Sequence, residues 1–244
     1  MAKLKVFVVA EGPSEIGTLD ALTGGGRRGS GRRAEGFIPP LLRKLLARPL
    51  AIEAQRVMNL GRWELRPSVT GHGNRAAKAL ALAASDGCAL LVFVKDVDRE
   101  PGTKKSAHER KKKLAKMHAE IEAGFAAVRD ANDVHCVTAT PCRMIEAWAL
   151  GDPAALRAAS GSKRGKESVP PRPEDLWGRE SDPASGHPKC VLERLLGETA
   201  TAEIFEALAE ACSPATLRRT CPESFATFER DLDAVARRLP RISA

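Results

Sequence analysis

The chain of 244 residues contains no tyrosine, and aromatics make up only 4% of it. Acting alone, it is therefore excluded from strand-transfer chemistry through a phosphotyrosine link, because that bond needs a phenolic nucleophile. Long apolar runs are also missing. None reaches the roughly 18 to 20 residues that a membrane-spanning helix requires, and the first ten residues enter a strand-like segment without a signal-peptide pattern. A cytoplasmic chain without membrane contact is expected. The six cysteines form no CxxC pair and no Cys/His alternation at zinc spacing, so buried reduced thiols are expected. No GxGxxG or GxxxxGK[ST] run follows a strand, and no GxSxG occurs, which removes the usual signals for dinucleotide, Walker and serine-hydrolase sites.

What is present is an ordinary globular composition, 43% hydrophobic and 29% charged, long enough for one full core and a smaller appended lobe. The net charge of +8 is unevenly spread: residues 1–172 carry 30 basic and 18 acidic side chains, and residues 173–244 carry 9 and 13. A basic front portion suits a polyanionic partner, and an acidic tail suits a helical, protein-facing region.

Residues 5–10 (KVFVVA) and 89–94 (ALLVFV) are short continuous apolar runs, the pattern of strands buried on both faces of a parallel sheet. Residues 51–58 and 134–139 are weaker candidates for two more strands. Helical patterns at 15–22, 38–46, 75–84 and about 104–130 alternate with them, predicting an α/β sheet with crossover helices. Residues 24–36 (GGGRRGSGRRAEG) read as an exposed loop carrying Arg27, Arg28, Arg32 and Arg33. From His187 onward three or four helices are expected, with Pro188 and Pro222 near helix starts. The predicted organisation is an α/β core over 1–155, a basic Pro/Gly-rich linker over 156–186 and a helical C-terminal lobe over 187–244.

The clearest chemical signal is acid at the ends of the two best strands. The first runs into Glu11-Gly12-Pro13-Ser14-Glu15, and the later one into Asp96-Val97-Asp98-Arg99. Ligands of open parallel sheets bind at the carboxyl ends of the strands. Residues two apart in a strand point the same way, so Asp96 and Asp98 can serve one point, with Glu11 facing them and Glu15 leaning back from the next turn. Gathered carboxylates repel unless a proton or cation intervenes. An all-oxygen donor set selects Mg²⁺ or Mn²⁺, and such ions take phosphate oxygens as remaining ligands. The dense bases Lys104, Lys105, Lys111, Lys112 and Lys113 follow at once. A polyanion lying along them competes with a merely solvated helix face, and the same two readings apply to the arginine loop. Trp148 is expected in the core, since Ile145, Ala149 and Leu150 supply an apolar helix face.

This arrangement of Glu11 with Asp96 and Asp98 resembles the Toprim domain, whose hallmark is a Glu after the first strand and a DxD after a later one. The EGPSE run resembles the first motif of its OLD-like branch. Met144 to Asp152 (MIEAWALGD), His187-Pro188-Lys189 and the segment from Cys221 to Phe228 are similar to signatures of small stand-alone, RloB-type Toprim-like proteins. The resemblance implies a Toprim-like, Rossmann-like, mostly parallel sheet flanked by helices, and a metal-dependent nuclease acting on nucleic acid. It makes Glu11, Asp96, Asp98 and Lys189 catalytic, and Glu11, Glu15, Asp96, Asp98 and Glu146 ligands of Mg²⁺ or Mn²⁺. It further implies an ABC-type ATPase partner in phage defence. A non-cleaving nucleic-acid-binding or regulatory subunit of such an ATPase complex is the competing class. A haloacid-dehalogenase-like phosphatase also uses DxD, but on the first strand and continuing to Thr or Val, whereas Arg99 follows here.

Overall fold

The computed structural model describes residues 3–17, 34–62, 69–97, 107–129, 133–160 and 168–239. Strands β1 (Leu4–Ala10), β2 (Leu50–Arg56), β3 (Leu90–Val94) and β4 (His135–Ala139) pair in parallel in the order β2-β1-β3-β4. Parallel neighbours need crossovers, and helices supply them. The path from β1 to β2 includes α1 (Pro13–Ile16) and α2 (Ile38–Leu46); α3 (Gly71–Ser85) leads to β3, and α4 (Ala107–Arg129) leads to β4.

Alternation along the strands divides the interior. Leu4, Val6, Val8, Ala10, Leu90, Val92 and Val94 face one core with α1 and α2, whereas Phe7, Val9, Leu91 and Phe93 face a second core with α3 and α4. The rest of the chain is helical: α5 (Ile145–Ala149), α6 (Pro153–Ser160), α7 (Pro188–Leu196), α8 (Ala202–Ala211), α9 (Pro214–Thr220) and α10 (Phe225–Ala236). Of these, α10 packs on β4, and the others reach the same apolar cluster as Val6 and Val92 through α1, α2 and one another, with Val191, Phe205, Leu217, Phe228 and Leu232 among its members. Trp148 is fully buried there, stacked on Phe228 at 5.5 Å and edge-on to Phe225 at 5.3 Å between ring centroids.

The α/β sheet with flanking helices and a helical C-terminal region is as expected; several local features differ. Of the helix expected over 15–22, residues 18–22 lie outside the described residues, and α1 ends at Ile16, where Gly17 turns the chain at φ +60° with Ala34 pressed against it. A Cβ at Gly17 would lie 2.0 Å from the Ala34 carbonyl oxygen. Part of the expected linker is helix α6, and Glu174, in a 3-10 turn (Pro173–Asp175), is wholly buried. Pro188 opens α7 as expected, whereas Pro222 stands in the turn before α10. The six cysteines are free, five buried and Cys136 half-buried. Among the described residues, no helix is long and apolar enough to cross a membrane. Arg27, Arg28, Arg32, Arg33, Asp98, Lys104 and Lys105 lie outside the described residues.

Candidate functional site

The carboxyl ends of the four parallel strands share one edge of the sheet, and the predicted acids gather along it. Strand geometry persists beyond the named strands. Lys95 N–H donates to the Ala139 carbonyl at 2.9 Å, Val97 N–H donates to the Pro141 carbonyl at 3.1 Å, and Val97 bridges to Cys142. Gly12 is likewise extended, at φ −151° and ψ −174°.

The side-chain alternation therefore carries into the site. The register that sets Val9 beside Phe93 places Glu11 beside Lys95 and Gly12 beside Asp96. Glu11 and Lys95 consequently leave the sheet on the side of α3 and α4, and Asp96 leaves it on the side of α1 and α5. Lys95 Nζ donates to Glu11 Oε1 in an ion pair, with the lysine side chain 9% exposed and the glutamate 32%. Glu11 thus meets a lysine where the DxD acids were expected.

On the other face, the missing side chain of Gly12 leaves room that Glu15 fills. Its Oε2 accepts the Gly12 N–H at 2.9 Å and stands 3.4 Å from where a Cβ on Gly12 would be. Glu15 and Asp96 are both buried. Burial holds the Glu15 carboxyl above the usual carboxylate range; backbone N–H groups oppose the shift, Glu11 adds to it and Lys95 counters. Glu146, in the first turn of α5 beyond β4, is buried too. Its pKa is pushed up to about 7, chiefly by burial, with the Glu15 charge adding and Lys189 countering. Lys189, the second residue of α7, pairs with Glu180 at 2.8 Å, and this pairing raises its own pKa. The structure thus brings Glu11, Glu15, Asp96, Glu146 and Lys189 to one edge. Lys111 and Lys112 are exposed on α4 and Lys113 is half-exposed.

Two residues at this edge were passed over in the sequence. Lys95 stands in the sequence directly before Asp96. His72, second in α3, feels the charges of Lys95, Glu120 and Glu11, and its pKa is lowered, mostly by burial and then by Lys95. The topology holds the usable signal: α3 starts after β2, so its first turn returns to the same edge.

The donors are of the type a hard dication takes, carboxylate oxygen without thiolate. Among the described residues, however, no three His, Cys, Asp or Glu side chains gather closely enough to hold a metal by themselves. Glu15, Asp96 and Glu146 are the right type of donor but do not by themselves close on one ion.

The chain is an α/β protein whose open parallel sheet carries buried acids and the buried Lys95 at its carboxyl edge. The chain belongs to DUF4276, a domain family of unknown function, whose model matches residues 31–233. The matched span holds Asp96, Glu146 and Lys189, while Glu11 and Glu15 precede it. No curated protein and no solved structure matches the chain.

Proposed function

We propose that the chain is a Toprim-like, Mg²⁺- or Mn²⁺-dependent phosphodiesterase that cleaves nucleic acid. The observation that carries this reading is the arrival of carboxylates at the tips of three neighbouring parallel strands: Glu11 and Glu15 after β1, Asp96 after β3, Glu146 after β4. Glu15 and Glu146 are buried acids with raised pKa values, burial being the chief cause, and such perturbed carboxyls mark candidate functional groups. Of the expected ligands, Glu15, Asp96 and Glu146 reach this edge but do not close on one point by themselves, so holding the ion would need Asp98, the second acid of the DxD run, or oxygen donors from water and substrate phosphate. A hard dication there would supply a Lewis acid for a phosphoryl oxygen.

The chain's own groups do the rest. Lys189, held at the rim by Glu180, offsets negative charge growing on the phosphoryl oxygens. Lys111 and Lys112 hold the sugar-phosphate backbone without reading sequence. An ABC-type ATPase partner and a role in phage defence belong to the same proposal.

The test is cleavage of single- and double-stranded DNA and RNA oligonucleotides with Mn²⁺ or Mg²⁺. Cleavage should vanish on chelation and fall at least about 100-fold in Asp96→Ala, the scale on which loss of one electrostatic stabiliser acts. Activity surviving both Asp96→Ala and Glu15→Gln would overturn the reading. The ion pair of Lys95 with Glu11 favours a second one, a non-cleaving nucleic-acid-binding subunit. That protein would bind with a steep salt dependence and cleave nothing.

A further inference from the structure

We infer that Arg143 is a phosphate-gripping residue at the carboxyl edge of the sheet, its guanidinium taking two oxygens of one phosphodiester in a nucleic-acid backbone. This inference rests on the nucleic-acid reading above and deepens it by naming a group that meets the substrate.

The backbone singles this residue out. Among the described residues, five positions of positive φ are glycine and two are not, Ala47 at φ +47° and Arg143 at φ +75°. Ala47 is explained by its place, since it closes α2 in the left-handed conformation and its N–H donates to the Arg43 carbonyl at 3.1 Å. Arg143 closes no helix. It stands in the bend between the extended end of β4 and Met144, the extended residue before α5. At such a φ a Cβ crowds the neighbouring backbone, a penalty that glycine escapes. A bend that only redirected the chain would be better served by glycine, so the strain points to a use for the side chain.

Its position supplies that use. Cys142 bridges to Val97, so Arg143 follows directly on the last pairing between β4 and the strand that runs on into Asp96. This is the edge at which open parallel sheets take their ligands. Arg143 is half-buried and its Nε is shielded from solvent, which spares part of the freedom that a fully exposed arginine would lose on binding. A guanidinium donates two parallel N–H bonds to two oxygens of one phosphate, which the lysines of α4, as point charges, do not. The competing role is structural, an ion pair with a carboxylate of the same edge, and it makes the opposite prediction for stability.

Fluorescence anisotropy of labelled single-stranded DNA and RNA oligonucleotides, titrated with the full chain over a range of salt concentrations, tests this together with thermal melts. Binding is read with chelator and again with Ca²⁺. Arg143→Gly should bind roughly 10-fold more weakly, with a slope of log K against log salt shallower by about 0.7, the loss of one phosphate contact. Its melting temperature should equal or exceed that of wild type, because glycine relieves the strain. Arg143→Lys should keep the wild-type slope and bind a few-fold more weakly, retaining the charge without the fork. Arg143→Asn, a residue type that tolerates positive φ, should bind as Arg143→Gly does, and it decides the question if the extra chain freedom of glycine lowers the melt. Wild-type affinity and slope in both Arg143→Gly and Arg143→Asn, or a lowered melting temperature in both, would overturn the inference and leave the nucleic-acid reading standing. The expected pattern in a wild type that binds and never cleaves would support the inference while overturning the nuclease reading. Absence of binding by wild type would overturn both.

Discussion

Glu146 shows what a single side chain contributes. Between the ordinary carboxylate pKa of 4.5 and about 7, the folded chain retains a proton that the unfolded chain has released. Stability contributed by that proton is full below this window and is lost as pH rises through it, by up to about 3 kcal/mol. Glu146→Gln should flatten this part of the profile, as thermal melts between pH 5 and pH 8 would show. A Glu146→Gln melt with the wild-type pH slope would refute the assignment. The residue was visible in the sequence within the IEAW run, but its burial was not. One glutamate in a short helix reads as exposed until other elements close over it. Lys95 was hidden for a different reason: its partner lies 84 positions away, and only strand register brings the two together. Trp148, by contrast, was legible as core because its apolar neighbours repeat at helical spacing.

At the scale of elements, Glu174 ties three segments together. Its carboxylate accepts the backbone N–H groups of Glu223 at 2.9 Å and Ser224 at 2.8 Å, and the Ser224 hydroxyl as well. Ser224 Oγ in turn accepts the Trp148 indole N–H at 2.7 Å, so the 3-10 turn, the start of α10 and helix α5 form one buried network. Glu174→Ala leaves three buried donors without their acceptor and should destabilise the fold by about 2 to 4 kcal/mol, measured by urea unfolding. The crossing of α3 and α4 is equally tight. A Cβ on Gly124 would stand 2.1 Å from the Gly73 carbonyl oxygen, so Gly124→Ala should cost about 1 to 3 kcal/mol and speed hydrogen exchange in both helices. The strands and crossover helices were readable, because their apolar periods are local. Gly73 against Gly124 was not, since their contact spans two helices and a strand. The end of α1 at Gly17 was missed because the close approach of Ala34 to Gly17 leaves no trace in local periodicity.

For the whole molecule, the main departure from the sequence reading is how the C-terminal region attaches. A breaker-rich basic stretch suggested a linker before a helical C-terminal lobe, and α10 packs on β4 while α7, α8 and α9 share one apolar cluster with α2 and the sheet. A chain ending at residue 186 would lose the Phe225 and Phe228 rings that cover Trp148, and it should lose cooperative unfolding in calorimetry. Retention of a sharp transition would show the front portion to be autonomous. The charge asymmetry was legible by counting alone, whereas the shared core needed coordinates, because apolar helix faces do not name the surface they meet.

The in-step alignment of β1 and β3 also bears on how the chain tolerates change during descent. Connections between strands can lengthen or shrink while the tips stay in frame. A single residue inserted between Val94 and Lys95 would instead take the lysine's place beside Glu11, carry the lysine to Glu15's side and move Asp96 to the face of Glu11, all without altering any existing side chain. Indels should therefore collect in the crossovers and be purged from the few positions where strands end.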